Sequence, residues 1–129
     1  MKTLFAFDLD GTLAESKAPL EADMAEAIAD LLGVAKVAVI SGGDWPQFEK
    51  QIIARLPARA DVTRLYIMPT TGTKLYTNDG TRWAPVYADL FDEEQKRRIL
   101  AALEKGASEF DEERIWGERI EDRGSQITF

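Results

Sequence analysis

Residues 4–13 read LFAFDLDGTL, and the fold turns on how this stretch is read. Leu4, Phe5, Ala6 and Phe7 form a short apolar run, the pattern of a strand buried on both faces of a parallel sheet. The run stops abruptly at Asp8-Leu9-Asp10-Gly11-Thr12. Two acids two residues apart on an extended segment project to the same side. Gly11 then allows a sharp turn, leaving both carboxylates at the strand's carboxyl end, where open α/β sheets bind ligands. Close like charges are costly unless neutralised, and a hard divalent cation such as Mg²⁺ is their natural partner. Asp-Gly on its own is an ordinary turn, and Asp10 on its own could be a cap. The whole D-x-D-G-T string is rarer, arising by chance about once in a thousand chains of this size. Directly behind a strand pattern, it points to phosphoryl transfer.

Working outward, Ala14 to Ala18 read as a polar loop, and Pro19 is expected to open a helix. Leu20, Met24, Ala27, Ile28 and Leu31 recur at helical spacing up to Gly33, which is expected to end the helix. Lys36 to Ile40 (KVAVI) predicts a second strand, running straight into Ser41-Gly42-Gly43-Asp44. Strand, helix, strand is the parallel βαβ unit with a right-handed crossover. A helix is predicted from Trp45 to about Leu56, and a third strand over Arg64 to Met68, ending at Pro69-Thr70-Thr71-Gly72. Thr73 to Tyr76 and Arg82 to Tyr87 flank Asn78-Asp79-Gly80, a hairpin signal. Beyond Ala88, Phe91 to Gly106 predicts an amphipathic helix with Asp92 and Gln95 at capping-box spacing. Strands are expected over Arg114 to Glu121 and Ser125 to Phe129, joined by a turn at Asp122-Arg123-Gly124. The fold class is α/β, a Rossmann-like parallel-sheet core over 1–87 with a hairpin, and a partial α+β cap over 88–129.

The chain has 129 residues, 45% hydrophobic and 30% charged, enough for one core. A net charge of −7 without a basic block argues against nucleic acid or an anionic membrane surface as a partner. Cys and His are both absent, which removes thiol and imidazole chemistry and leaves carboxylates, hydroxyls, Lys and Arg as reagents. No signal peptide and no membrane-spanning run is read, so cytoplasmic residence is expected.

FAFDLDGTL resembles the first motif of the haloacid dehalogenase superfamily, and VAVIS (37–41) resembles its second. The resemblance implies a Mg²⁺-dependent phosphatase or phosphomutase. Asp8 would be the nucleophile that becomes an aspartyl phosphate, and Asp10 the acid that protonates the leaving oxygen and then activates water. The Asp8 carboxylate and the Asp10 backbone carbonyl would hold the metal. The Ser41 hydroxyl would donate to the phosphoryl oxygens, with Gly42, Gly11 and Thr12 as further phosphate-binding residues. The Gly42 and Gly43 amides and the helix that follows add dipoles of the right sign for an anion, whereas Asp44 reads as an N-cap. The order of elements is similar to that of type IIB cap members. SGGDW and GERIEDRGSQITF are closest to the phosphomannomutase and sugar-phosphate phosphatase branch, where cap arginines grip the distal group of a sugar bisphosphate. Arg123 matches one such position, and Arg119 is a looser candidate. A turn-flanking surface Arg is the alternative for Arg123.

The superfamily's third-motif Lys and fourth-motif acids have no position here, which leads to the expectation of a chain cut in mid-cap. Three functions are carried forward. The first is a Mg²⁺-dependent phosphatase of a small phosphorylated substrate such as a sugar phosphate. The second is a phosphomannomutase-like mutase, and the third a non-catalytic phosphate-binding module.

Overall fold

The computed structural model describes residues 3–109 and 118–129, in two compact units, Met1–Ala88 and Asp89–Phe129. In the first unit, β1 (Leu4–Asp8), β2 (Lys36–Ile40), β3 (Leu65–Met68), β4 (Lys74–Asn78) and β5 (Trp83–Ala88) form one sheet in the order β1-β2-β3-β4-β5. The first two pairings are parallel and the last two antiparallel, so the hairpin continues the core sheet. β-branched residues suit the pleat at the centre. Val37, Val39, Leu65 and Ile67 are fully buried, and the register Phe7↔Val39↔Ile67 sets them on one face.

The same cluster takes Ile28 and Leu32 from α1 (Ala22–Val34) and Phe48 from α2 (Trp45–Gln51). Two successive right-handed crossovers in one direction put both helices on one face. This corrects the expectation for β1. Its register leaves it with β2 as its neighbour among the described residues, and the helices cover one side of the sheet. Leu4 is therefore 51% and Phe5 39% exposed. Full burial of such a side chain is worth about 1.5–3 kcal/mol, and β2 and β3 gain it where β1 does not.

α1 starts later than Pro19. The Leu20 amide donates to the Gln51 carbonyl (2.8 Å), which keeps that segment out of the helix while Leu20 itself is buried. Gly33 does not end α1; Ala35, already extended, hands the chain to β2. α2 is shorter than expected. It ends at Gln51, Ile52 caps it with its amide on the Phe48 carbonyl, and a short 3₁₀ turn over Ile53–Arg55 completes the segment. Trp45 stacks on Tyr76 at 4.3 Å and lies 5.6 Å from Trp83, fastening α2 to the hairpin.

In the second unit, α3 (Glu93–Ala107) has the full capping box. Asp92 accepts from the Gln95 amide (2.7 Å), and Gln95 accepts from the Asp92 amide (2.9 Å). β6 (Glu121–Asp122) pairs with β7 (Ile127–Thr128). The turn between them has Gly124 at φ 82° with its amide on Asp122. The strand predicted for Arg114 to Glu121 lies outside the described residues over 114–117. Within them it is confined to β6, where Glu118 to Ile120 are not strand.

Candidate active site

The opening motif folds as a strand end followed by a compact turn. β1 stops at Asp8. Leu9 is fully buried, and its carbonyl accepts from the amides of Thr12, Leu13 and Ala14. Gly11 supplies the left-handed residue the turn needs (φ 76°). The alternation that would set both acids on one side therefore does not extend to Asp10, and their surroundings differ.

Asp8 is exposed, and its carboxylate has no hydrogen-bond partner among the described residues. With Ser41, Gly42, Thr71, Ala6, Phe7 and Ile40 it lines a cavity of about 320 Å³ at the carboxyl ends of β1 and β2. Asp10 is half-buried and turned to α2. Its Oδ1 accepts from the Lys17 amide (2.9 Å) and Gln51 Nε2 (3.3 Å), and its Oδ2 from Gln47 Nε2 (3.0 Å).

Ser41 is buried. Its hydroxyl oxygen accepts from the Gly43 amide (3.4 Å), so its proton is left to donate. The loop is braced from β3: the Thr71 amide donates to the Ser41 carbonyl (2.9 Å) and the Thr70 amide to the Gly43 carbonyl (2.8 Å). Thr70 and Thr71 reach these positions with φ of 49° and 61°. That is an uncommon region for β-branched residues, and it concentrates strain at the cavity rim.

Gly11 and Thr12 lie elsewhere. They line a separate cleft of about 330 Å³ together with Glu15, Glu21 and Asp23. Their amides are engaged in the turn, Gly11 to the Ala14 carbonyl (2.7 Å) and Thr12 to Leu9 (3.2 Å). Arg123 belongs to the second unit, where its guanidinium pairs with Glu121 (2.7 Å). Arg119 donates to the Ala107 carbonyl and lies over the Phe129 ring (5.4 Å).

Asp44 is the N-cap expected from sequence, accepting from the Trp45 amide (2.8 Å). It also pairs with Lys74 Nζ at 2.9 Å. The sequence pattern alone assigns no role to Lys74, Gln47 or Gln51. The usable signal was Gln51 standing between Phe48 and Ile52, a polar residue on the apolar side of α2.

The fit to Mg²⁺ is decided by donor chemistry. The bare Asp8 carboxylate is a hard oxygen ligand. Both Asp10 side-chain oxygens are taken by N–H donors, while no described residue donates to its backbone carbonyl. One carboxylate and one carbonyl, with water completing the shell, suit Mg²⁺. Among the described residues no group of three or more acidic, His or Cys side chains could hold a metal.

The parallel core and its crossover helices have the fold of haloacid dehalogenase-like hydrolases, as the solved structures show. The chain superposes on the ATP-bound IMP-nucleotidase of Plasmodium falciparum with a TM-score of 0.71 at 17% identity, over 98% of this chain and 34% of that one. A haloacid dehalogenase-like hydrolase from Bacteroides thetaiotaomicron gives a TM-score of 0.59 at 16% identity, over 83% of this chain and 39% of that one. By sequence, a phosphomannomutase of Encephalitozoon cuniculi is 27% identical over 126 residues, 98% of this chain and 48% of that protein. The chain thus spans about half the length of this curated relative. No family model matches. Among the described residues no helix is long and apolar enough to cross a membrane.

Proposed function

We propose that this chain carries the nucleophile and the acid–base half of a Mg²⁺-dependent phosphatase acting in the cytoplasm on a small phosphomonoester such as a sugar phosphate. The observation that carries the reading is the exposed Asp8 carboxylate, without a hydrogen-bond partner among the described residues, lining one cavity with the buried Ser41. An Asp8 oxygen attacks phosphorus as the bond to the leaving oxygen breaks, and Asp10 gives its proton to that oxygen. Asp10, now ionised, takes a proton from the water that attacks the aspartyl phosphate, and the Asp8 carboxylate departs. The Ser41 hydroxyl donates to a phosphoryl oxygen. A magnesium ion held by the Asp8 carboxylate and the Asp10 carbonyl would offset the charge of the phosphate. In the second unit, Arg123 is the candidate for contacting the substrate, since its planar guanidinium suits a phosphate.

The test is phosphate release with Mg²⁺ from a panel of sugar phosphates and nucleotides, on this chain and on any longer natural form. Asp8→Asn should abolish release, a fall of at least about a thousandfold if Asp8 is the nucleophile. Activity that survives this substitution refutes the reading. The 27% identity to a phosphomannomutase favours one second reading, a phosphomutase. That enzyme would require a bisphosphate activator and release little free phosphate.

A further inference from the structure

We infer that Gln47 and Gln51, on successive turns of α2, are positioning residues for Asp10 that fix where its side chain lies. The inference rests on the catalytic role proposed for Asp10. Every contact to the Asp10 carboxylate is an N–H donor: the Lys17 amide and Gln51 Nε2 on Oδ1, Gln47 Nε2 on Oδ2. Lys17 donates from a left-handed backbone (φ 58°), an unfavourable conformation retained where this contact is made. Three donors on two oxygens leave the side chain little freedom to rotate.

Two of the three donors are fixed by other ties. The Lys17 amide is backbone. Gln51 is buried, and its Nε2 is also committed to the Ala18 carbonyl (2.5 Å). Gln47 has no such second tie among the described residues and is only half-buried, so a substitution there removes the contact to Oδ2 and leaves the other two in place.

A second observation ties the device to the SGGD loop. A Cβ placed on Gly43 would lie 1.8 Å from Gln47 Oε1 and 2.4 Å from its Cδ. The bare face of Gly43 is thus the surface against which the Gln47 amide lies. A methyl there would displace the flexible end of Gln47 and leave Asp10 itself untouched.

The contact can be read without turnover. The chain has four glutamines and one asparagine, so its side-chain amide NMR signals are few. Asp10→Asn should shift the Nε2 signals of Gln47 and Gln51, and Gly43→Ala those of Gln47. Signals of Gln47 and Gln51 that stay in place in Asp10→Asn would overturn the inference. In a natural form that releases phosphate, Gln47→Met should lower kcat about ten- to a hundredfold and leave KM within about twofold. Gly43→Ala should do the same in kind, and neither should lower kcat further in the Asp10→Asn background. A Gln47→Met loss of equal size in that background, or one confined to KM, also overturns it. If instead the amide signals respond as expected while Asp8→Asn remains active, the phosphatase reading fails and the Asp10 contacts stand.

Discussion

The Lys74–Asp44 pair ties β4 to the loop that carries Ser41, and its two partners are unequally buried. The Lys74 side chain is 10% exposed and that of Asp44 28%, at 2.9 Å. Breaking a fully buried pair costs about 3–5 kcal/mol, because one charge is left unpaired away from water. The two single substitutions leave different charges behind. Asp44→Asn keeps a side-chain oxygen for the Trp45 amide but takes a carboxylate away from the ammonium at the drier position, an expected loss of about 2–3 kcal/mol. Lys74→Met strands a carboxylate that water reaches and that still caps α2, an expected loss of about 1 kcal/mol. The double substitution leaves no charge. It should cost no more than Asp44→Asn alone, a coupling of about 1–2 kcal/mol. Urea unfolding followed by tryptophan fluorescence, with Trp45 beside the pair, gives each value from midpoints at constant slope. The reasoning fails if Lys74→Met costs as much as Asp44→Asn, or if the two losses simply add.

Two further outcomes follow from single side chains. In the hairpin turn, hydrogen bonds from the Thr81 hydroxyl, then from the Arg82 and Thr81 amides, hold the Asp79 carboxyl at about 2 against an ordinary 3.8. A carboxyl lowered by folding adds stability that is complete above its unfolded value and is lost as pH falls through its folded one. The difference in urea midpoint between the protein and Asp79→Asn should therefore be constant above about pH 4 and close toward pH 2; a gap that persists at pH 2 contradicts this origin. At the cavity rim, Thr71→Gly relieves a left-handed β-branched residue (φ 61°, ψ 30°). Relief of about 1–2 kcal/mol, less the about 0.5–1 kcal/mol that glycine's chain freedom costs, leaves a net gain of up to about 1.5 kcal/mol. A loss of stability in the same urea assay would show that the Thr71 side chain does more than endure its backbone.

The parallel core was legible because its signals are local and redundant. KVAVI is bracketed by breakers and matches β2 residue for residue. Asp92 and Gln95 at capping-box spacing place the start of α3 within a residue or two, since both bonds are made inside one turn of chain. The misplaced features depend on partners distant in sequence. Pro19 is a favourable helix start by its own conformation, yet a hydrogen bond from Leu20 to Gln51, thirty-one residues on, keeps the segment out of the helix. An apolar run such as Leu4 to Phe7 reports a preference for burial but not how many faces the rest of the fold will cover. In β1 the register decides that, and it leaves Leu4 and Phe5 at a sheet edge.

The same distinction explains the two acids of the motif. Spacing alone suggests twin carboxylates on one side, and that holds while the strand continues. The strand ends at Asp8 because Leu9 is drawn into the core and its carbonyl collects three amides of the following turn. Asp10 is thereby swung toward α2 and meets Gln47 and Gln51, while Asp8 stays bare at the tip of the sheet. An unpartnered carboxylate is suited to attack and to a hard cation, and a carboxylate cradled by donors is suited to fixed placement. One buried leucine between the acids is enough to give two chemically alike residues unlike surroundings. For that reason Leu9 is as much a part of the D-x-D-G-T signal as the acids on either side of it.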